Sequence, residues 1–244
     1  MFKLFGSKQM PFDFSNLGTD MHSHLLPGID DGAPDLAISL TLIRALQHLG
    51  YQKIITTPHI RAEIYPNTRD IILKKRDEVR NALEKEESTV PQFEAAAEYY
   101  IDENFEQLLM REPLLSLDGK RVLVEMSFFQ PYPNFHKVFF DMQMKGYQPV
   151  LAHPERYPYV KTIGDLEKLK QLGCELQVNI LSFTGYHRKE AQQTARLLLK
   201  NQLIDFLGSD LHHNEHVNAL QKAISDKYLA NALQVKLKNN TLLP

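Results

Sequence analysis

Short β-branched or apolar runs alternate with longer amphipathic runs from one end of the chain to the other. That alternation is the mark of βα units built around a parallel sheet, so the expected class is α/β. Seven strands are expected: Leu17 to Ser23, Lys53 to Thr57, Gln92 to Ala97, Arg121 to Met126, Gln148 to Ala152, Glu175 to Ile180 and Ile204 to Gly208. Helical spacing covers Asp35 to Leu49, Arg69 to Glu87, Asp102 to Met110, Asn134 to Lys145, Ile163 to Leu172, His187 to Asn201 and Glu215 to Leu237. Pro34 stands near the start of the first helix and Gly50 at its stop, while Gly146 and Gly173 suit left-handed C-caps. No repeat, low-complexity tract or linker proposes a boundary. With 244 residues the chain matches the ~250 that one barrel of alternating strands and helices needs. The expectation is one barrel domain over residues 17–244, preceded by an arm, residues 1–16, that carries Phe2, Phe5, Phe12 and Phe14.

Charge and cysteine content narrow the function. A formal net charge of -2 gives no long-range pull toward nucleic acid or an anionic membrane, so any affinity for anions must be local. No apolar run approaches the ~20 residues that span a bilayer, and membrane insertion is not expected. The single Cys174 excludes an intramolecular disulfide, and the polar breaks in MFKLFGSKQMPFDF leave no signal-peptide core. The expected compartment is cytoplasmic.

Metal-type side chains recur where the expected strands end. His22 and His24 close the first, His59 follows the second, Glu98 the third, Glu125 closes the fourth, His153 follows the fifth, and Asp210 with His212 follow the seventh. In a parallel barrel those ends converge on one face, where catalytic groups sit. A lone histidine at a strand end is more often structural, but this recurrence is not a lone histidine. The loop LPGIDDG adds Asp30 and Asp31, for which plain turn chemistry is the competing reading. Five imidazoles, at least three carboxylates and no thiolate exceed one tetrahedral site and suit two or three divalent ions, with Mn, Fe or Zn all compatible.

The stretches DMHSHLLPGIDDG, ITTPH, AAAEYY, VLVEMS, LAHPERY and LGSDLH resemble the polymerase-and-histidinol-phosphatase (PHP) family. Within it they are most similar to the bacterial manganese-dependent tyrosine phosphatases of capsule and exopolysaccharide operons. The resemblance runs from Thr19 to about His213. It implies a distorted seven-stranded (β/α) barrel of the TIM type, with three divalent metal ions at the C-terminal ends of its strands, manganese being the family's metal. His22, His24 and Asp210 would hold the first ion, with Glu98 bridging to the second; Glu125 and His153 would complete the second; Asp31, His59 and His212 would hold the third. Glu125, where many members carry histidine, points to the tyrosine-phosphatase branch. Arg156 matches the phosphate-contacting arginine, its bland alternative being a surface ion pair with Glu155. Arg156, Asp210 and Glu98 are thus the implied catalytic residues. The chain departs from some relatives in lacking an arginine shortly after the last Asp-x-His, which leaves His213 or His216 as candidates for a second phosphate contact.

The implied reaction is hydrolysis of phosphotyrosine on a protein partner, the tyrosine-rich tail of a membrane-associated bacterial tyrosine kinase. A phenolate leaving group with a pKa of ~10 departs more readily than a serine alkoxide. Loop aromatics Tyr65, Phe128, Phe129, Tyr132, Tyr157, Tyr159 and Tyr186 supply material for an aryl slot, against the plainer reading that half or more pack under the loops. Thiol chemistry is disfavoured, because Cys174 is followed six positions on by Ile180 rather than by the arginine of a Cys-x5-Arg cradle. The rivals are a PHP phosphoesterase for a small metabolite such as histidinol phosphate, and a metal-binding regulatory module without turnover.

Overall fold

A computed structural model describes residues 13–85 and 89–243. The expected arm's Phe2, Phe5 and Phe12 lie outside the described residues, as do residues 86–88 at the end of the expected second helix. Phe14 is buried and stacks on Tyr51 with ring centroids 5.4 Å apart, so the last of the arm's aromatics belongs to the core.

The strands are β1 (Thr19–Asp20), β2 (Lys53–Thr56), β3 (His59–Ile60), β4 (Gln92–Ala95), β5 (Glu98–Tyr100), β6 (Arg121–Glu125), β7 (Gln148–Ala152), β8 (Glu175–Asn179) and β9 (Phe206–Gly208). Helices alternate with them: α1 (Leu36–His48), α2 (Arg69–Leu83), α3 (Glu103–Arg111), α4 (Phe135–Met144), α5 (Ile163–Gln171), α6 (Lys189–Lys200), α7 (Asn214–Ala223) and α8 (Lys227–Ala232). All strand pairs are parallel, in the orders β1-β2-β4 and β3-β5-β6-β7-β8-β9.

Two of the seven expected strands, Lys53 to Thr57 and Gln92 to Ala97, coincide with β2 and β4 to within two residues, but each is followed by a short strand that was not expected, which raises the count to nine among the described residues. β3 lies beyond the end of the second, separated from β2 by Thr57 and Pro58; proline has no N–H to give the ladder. β5 lies beyond the end of the third, separated from β4 by Ala96 and Ala97. Backbone bonds continue across both breaks, from Ala96 N to Thr56 O (2.9 Å) and Glu98 N to Pro58 O (3.1 Å), so each pair remains one kinked stave. The first expected strand is shortened to Thr19–Asp20, because Gly18 turns the chain at φ 67° and the segment beyond Asp20 carries only one isolated bridge. The expected C-terminal helix, 215–237, is two helices. Asp226 breaks it by accepting from the N–H groups of Tyr228 and Leu229, as an N-cap does.

Side chains and loops join the seventh stave to the first. Ser23 bridges Leu211 in parallel, Asp210 N donates to His22 O (2.8 Å) and His24 N to Leu211 O (2.9 Å). The buried Asn239 amide donates to Thr19 O and Leu207 O while its oxygen accepts from Leu207 N, replacing ladder bonds that the strands do not make. A small apolar cluster draws on every stave but the sixth: Met21, Ile55, Ala96, Leu123, Val150 with Ala152, and Phe206. The larger cluster takes the alternate residues, such as Ile54, Val122, Leu151 and Val178, and packs them against the helices. On the sixth stave, β8, the residue on the inner parity is Gln177, fully buried and polar.

Candidate metal centre

The stave ends bring His22, His24, Asp31, His59, Glu98, Glu125, His153, Asp210 and His212 together. Their ligand atoms fall into four overlapping groups: His24, Asp31, His59 and His212; His22, His24 and Glu98; His22, His153 and Asp210; and His59, Glu98 and Glu125. The first, third and fourth groups cross the assignment that the family resemblance implies, since His24 sits with the third-ion residues, His153 with His22 and Asp210, and His59 with Glu98 and Glu125; the second falls within one implied set. Most of the nine are buried. Asp31, on the loop after the first stave, has a side chain 50% exposed and forms the outer edge.

Hydrogen bonds on the far side of each imidazole fix what its near side can do. His22 Nδ1 lies 2.9 Å from Gln177 Oε1, and His24 Nδ1 lies 2.8 Å from Asp30 Oδ2. Both partners are acceptors, so Nδ1 carries the proton and Nε2 presents a lone pair. The two Nε2 atoms then face each other at 3.4 Å. Glu98 Oε2 lies 3.3 Å from His22 Nε2 and 3.5 Å from His24 Nε2, and Asp210 Oδ1 lies at 3.4 and 3.5 Å. His212 repeats the pattern: Nδ1 is 2.9 Å from its neighbour's carbonyl, Asp210 O, and Nε2 is 3.5 Å from Asp31 Oδ1.

Lone pairs converging on lone pairs require positive charge between them. Both oxygens of Glu98 are fully buried without a hydrogen-bond donor, though His22, His59 and His153 stand 3.1 to 3.3 Å away. Leaving such a carboxylate unmatched would cost several kcal/mol, about the size of an effective burial penalty for one ion. Titration directions agree. Burial opposes protonation of His22, but Glu98 and Asp210 outweigh it and lift the imidazole to about 10. Burial and Glu98 raise Glu125, while burial and Arg156 lower His153 to about 4 and keep it neutral. A cluster that must otherwise take up protons fits divalent cations bound by nitrogen and oxygen donors.

Backbone at the site is shaped for this convergence. His153 (φ 32°) and Asp210 (φ 51°) lie in the left-handed region, uncommon for residues with a Cβ and a sign of stored strain. Gly208 lets β9 approach the first stave, since a Cβ there would meet His22 Cβ at 2.8 Å and Gln177 Nε2 at 2.7 Å. At Gly32 a Cβ would collide with the carbonyl oxygen of His24, so the Asp-Asp-Gly turn admits only glycine.

Sequence reasoning named Asp30 and Glu155 in other roles and missed Gln177 and Asn179, and these residues hold the site's side chains in place. Asp30 accepts from His59 N and Gly32 N as well as facing His24, which leaves Asp31 to point into the cluster. The sixth stave supplies no ligand, yet its Gln177 accepts the His153 N–H (3.2 Å) and donates to Asn179 Oδ1, whose amide donates to Asp210 Oδ2 (2.7 Å). The signal was present in ELQVN, where polar residues two apart share the inner face of a buried strand. Glu155 is buried too, accepting from Asn179 N and Ser182 Oγ, and it pins the HPER turn beneath the site. Metal sites depend on such outer contacts for ligand orientation.

Arg156 pairs with Asp210 rather than with Glu155: its Nη1 is 2.8 Å from Asp210 Oδ2, and its guanidinium lies 5.0 Å over the Phe128 ring. With His187, His213 and His216 it rims a cavity of about 290 Å³ over the ligands. Both candidates for a second phosphate contact are therefore at the rim, His216 accepting from His212 N, and His187 joins them. The loop aromatics divide. Phe128 and Phe129 stand at the cavity side, and Tyr65 stacks on His59 at 5.3 Å. Tyr157 and Tyr159 stack on each other, Tyr157 bonding Ala152 O, and Tyr132 bonds Glu106, so these three support loops. Cys174 is buried at the entry to β8, away from the cavity lining.

Comparison with known proteins agrees with this geometry. Residues 18–239 match the family model described as capsular polysaccharide synthesis, CpsB/CapC. The tyrosine-protein phosphatase YwqE of Bacillus subtilis is 34% identical over 196 residues, covering 80% of this chain and 77% of that one. The tyrosine-protein phosphatase CpsB of Streptococcus agalactiae is 29% identical over 201 residues, covering 80% and 82%. A crystal structure from work on YwqE of B. subtilis and CpsB of Streptococcus pneumoniae, described there as unique metal-dependent tyrosine phosphatases, superposes with a TM-score of 0.80 at 30% identity, covering 92% of this chain and 90% of that one. The seven-stave parallel architecture, the ligand cluster at its stave ends and these matches together make the chain a member of the CpsB/CapC family.

Proposed function

We propose that this chain is a cytoplasmic, metal-dependent phosphatase that hydrolyses phosphotyrosine on proteins, its substrate being a bacterial tyrosine kinase of capsule or exopolysaccharide synthesis. The carrying observation is the pair of outward-fixed imidazoles, His22 and His24, whose facing Nε2 atoms share two buried carboxylates. The names of the Bacillus and Streptococcus relatives support the substrate class.

His22, His24, Glu98 and Asp210 would hold one ion, Glu98, Glu125 and His153 a second, and Asp31, His59 and His212 a third, with manganese the first choice. Bound divalent ions supply activated water and charge neutralisation on phosphate oxygens. Arg156 offers a planar fork of N–H donors to two non-bridging oxygens, and Phe128 backs the guanidinium. Asp210 and Asn179 hold Arg156 and the ligand loop in register, so the donors are in place before phosphate arrives. In this reading residues 17–244 act as one barrel domain.

A substrate panel tests it. Phosphotyrosine peptides should be turned over much faster than phosphoserine peptides or histidinol phosphate. A preference for histidinol phosphate would assign the chain to small-metabolite hydrolysis instead.

A further inference from the structure

Three cavities meet at Arg156. The innermost holds the ligand cluster, and it shares Phe128, Arg156 and His187 with a second, of about 510 Å³, completed by Phe129, Pro158 and Arg188. A third, of about 640 Å³, continues from Arg156, Pro158 and Arg188 along α6 past Lys161 and Glu190. This continuity leaves the second chamber open to the organic group of a phosphate ester seated over the ligands, and the third to a flanking chain.

The second chamber has one aromatic wall, one cationic wall and no carboxylate. Phe129 is 95% exposed beside Phe128, an apolar ring left in water at the mouth of the site. Arg188 uses one N–H, from Nη2, on the backbone oxygen of Arg156 at 2.8 Å, and it has no carboxylate partner among the described residues. A guanidinium offers five N–H donors, so most of its capacity is unspent. The nearby Glu155 is turned inward to Asn179 and Ser182, and Glu190 faces the third cavity only.

We infer that Arg188 is a specificity-determining residue, pairing with an acidic side chain next to the phosphotyrosine of a polypeptide whose tyrosine ring lies against Phe128 and Phe129. This deepens the phosphatase reading and rests on it. The occupant is a polypeptide rather than a small ester, because the second and third cavities continue one another past the ring.

The test compares two phosphotyrosine peptides that differ only in the residue beside the phosphotyrosine, glutamate or lysine, with p-nitrophenyl phosphate as an ester without flanks. The parent should favour the glutamate peptide in kcat/KM by about three- to five-fold, the size of one exposed ion pair, expressed in KM. Arg188→Gln should bring the ratio to about one, and Arg188→Glu should invert it. Equal use of both peptides by the parent, or a ratio that survives both substitutions, overturns the inference while leaving the phosphatase reading standing. So does an equal loss of kcat on all three substrates in the Arg188 variants, which would make Arg188 a support for the Arg156 backbone. If the metal-loaded parent hydrolyses none of the three, the phosphatase reading falls and the inference with it.

Discussion

Arg156 Nη1 and Asp210 Oδ2 are 2.8 Å apart, while the other oxygen of Asp210 faces the Nε2 atoms of His22 and His24. One carboxylate thus joins the proposed phosphate clamp to the proposed metal cluster, and the two functions can be separated by substitution.

Arg156→Lys should keep the metals, because arginine is no ligand and Asn179 still holds Asp210. A point charge cannot reproduce the planar fork, so transition-state stabilisation should fall by ~2 kcal/mol or more, about 30-fold in kcat/KM. His153→Ala should instead lower metal content together with rate. Metal stoichiometry and kinetics on both variants check this; parental kinetics in Arg156→Lys would leave phosphate to the metals alone.

Gln177→Met removes the acceptor that fixes His22 and His153 without opening a large void. Metal affinity should fall by about 10- to 100-fold, the usual cost of losing an outer contact to a ligand. Titration against a competing chelator measures it, and unchanged affinity would show that the metals alone orient His22.

Most ligand positions were legible because each stave end contributes through a local rule, strand then loop, that a single sequence displays. What was not legible depends on partners distant in sequence. The kink at Pro58 and the one at Ala96 arise where staves must bend together around the barrel, and nothing local announces the second. Gln177 and Asn179 lie on a strand that supplies no ligand, and their roles appear only once β8 is set beside β7 and β9. Asp226 was readable as a cap, yet the apolar spacing on either side resembles one continuous helix.

Cys174→Ser should remain active, and thiol-alkylating reagents should leave the parent active. Burial pushes the Cys174 thiol far above its ordinary range, so no thiolate nucleophile exists at neutral pH. Loss of activity in a folded Cys174→Ser protein would contradict the metal mechanism.

Acid stability should depend on Asp205, at the opposite end of the barrel. Burial raises its pKa, but hydrogen bonds from Lys170, Lys238 and Leu176 N outweigh it and hold the carboxyl below its ordinary value. A depressed folded pKa stabilises the fold above the unfolded value, ~3.9, and that contribution is lost as pH falls through the folded pKa. In chelated protein, Asp205→Asn should therefore lower Tm at pH 7, and the gap to the parent should shrink toward pH 3. A gap that stays constant across that range would remove Asp205 from the acid response.

The most direct measurement combines metal analysis with phosphotyrosine turnover on one preparation, before chelation, after it, and after re-addition of manganese. Activity should disappear as the bound metal is removed and return as up to three ions per chain are restored. Full turnover of phosphotyrosine by the metal-free protein would contradict the assignment of His22, His24, Glu98 and their neighbours as the catalytic centre.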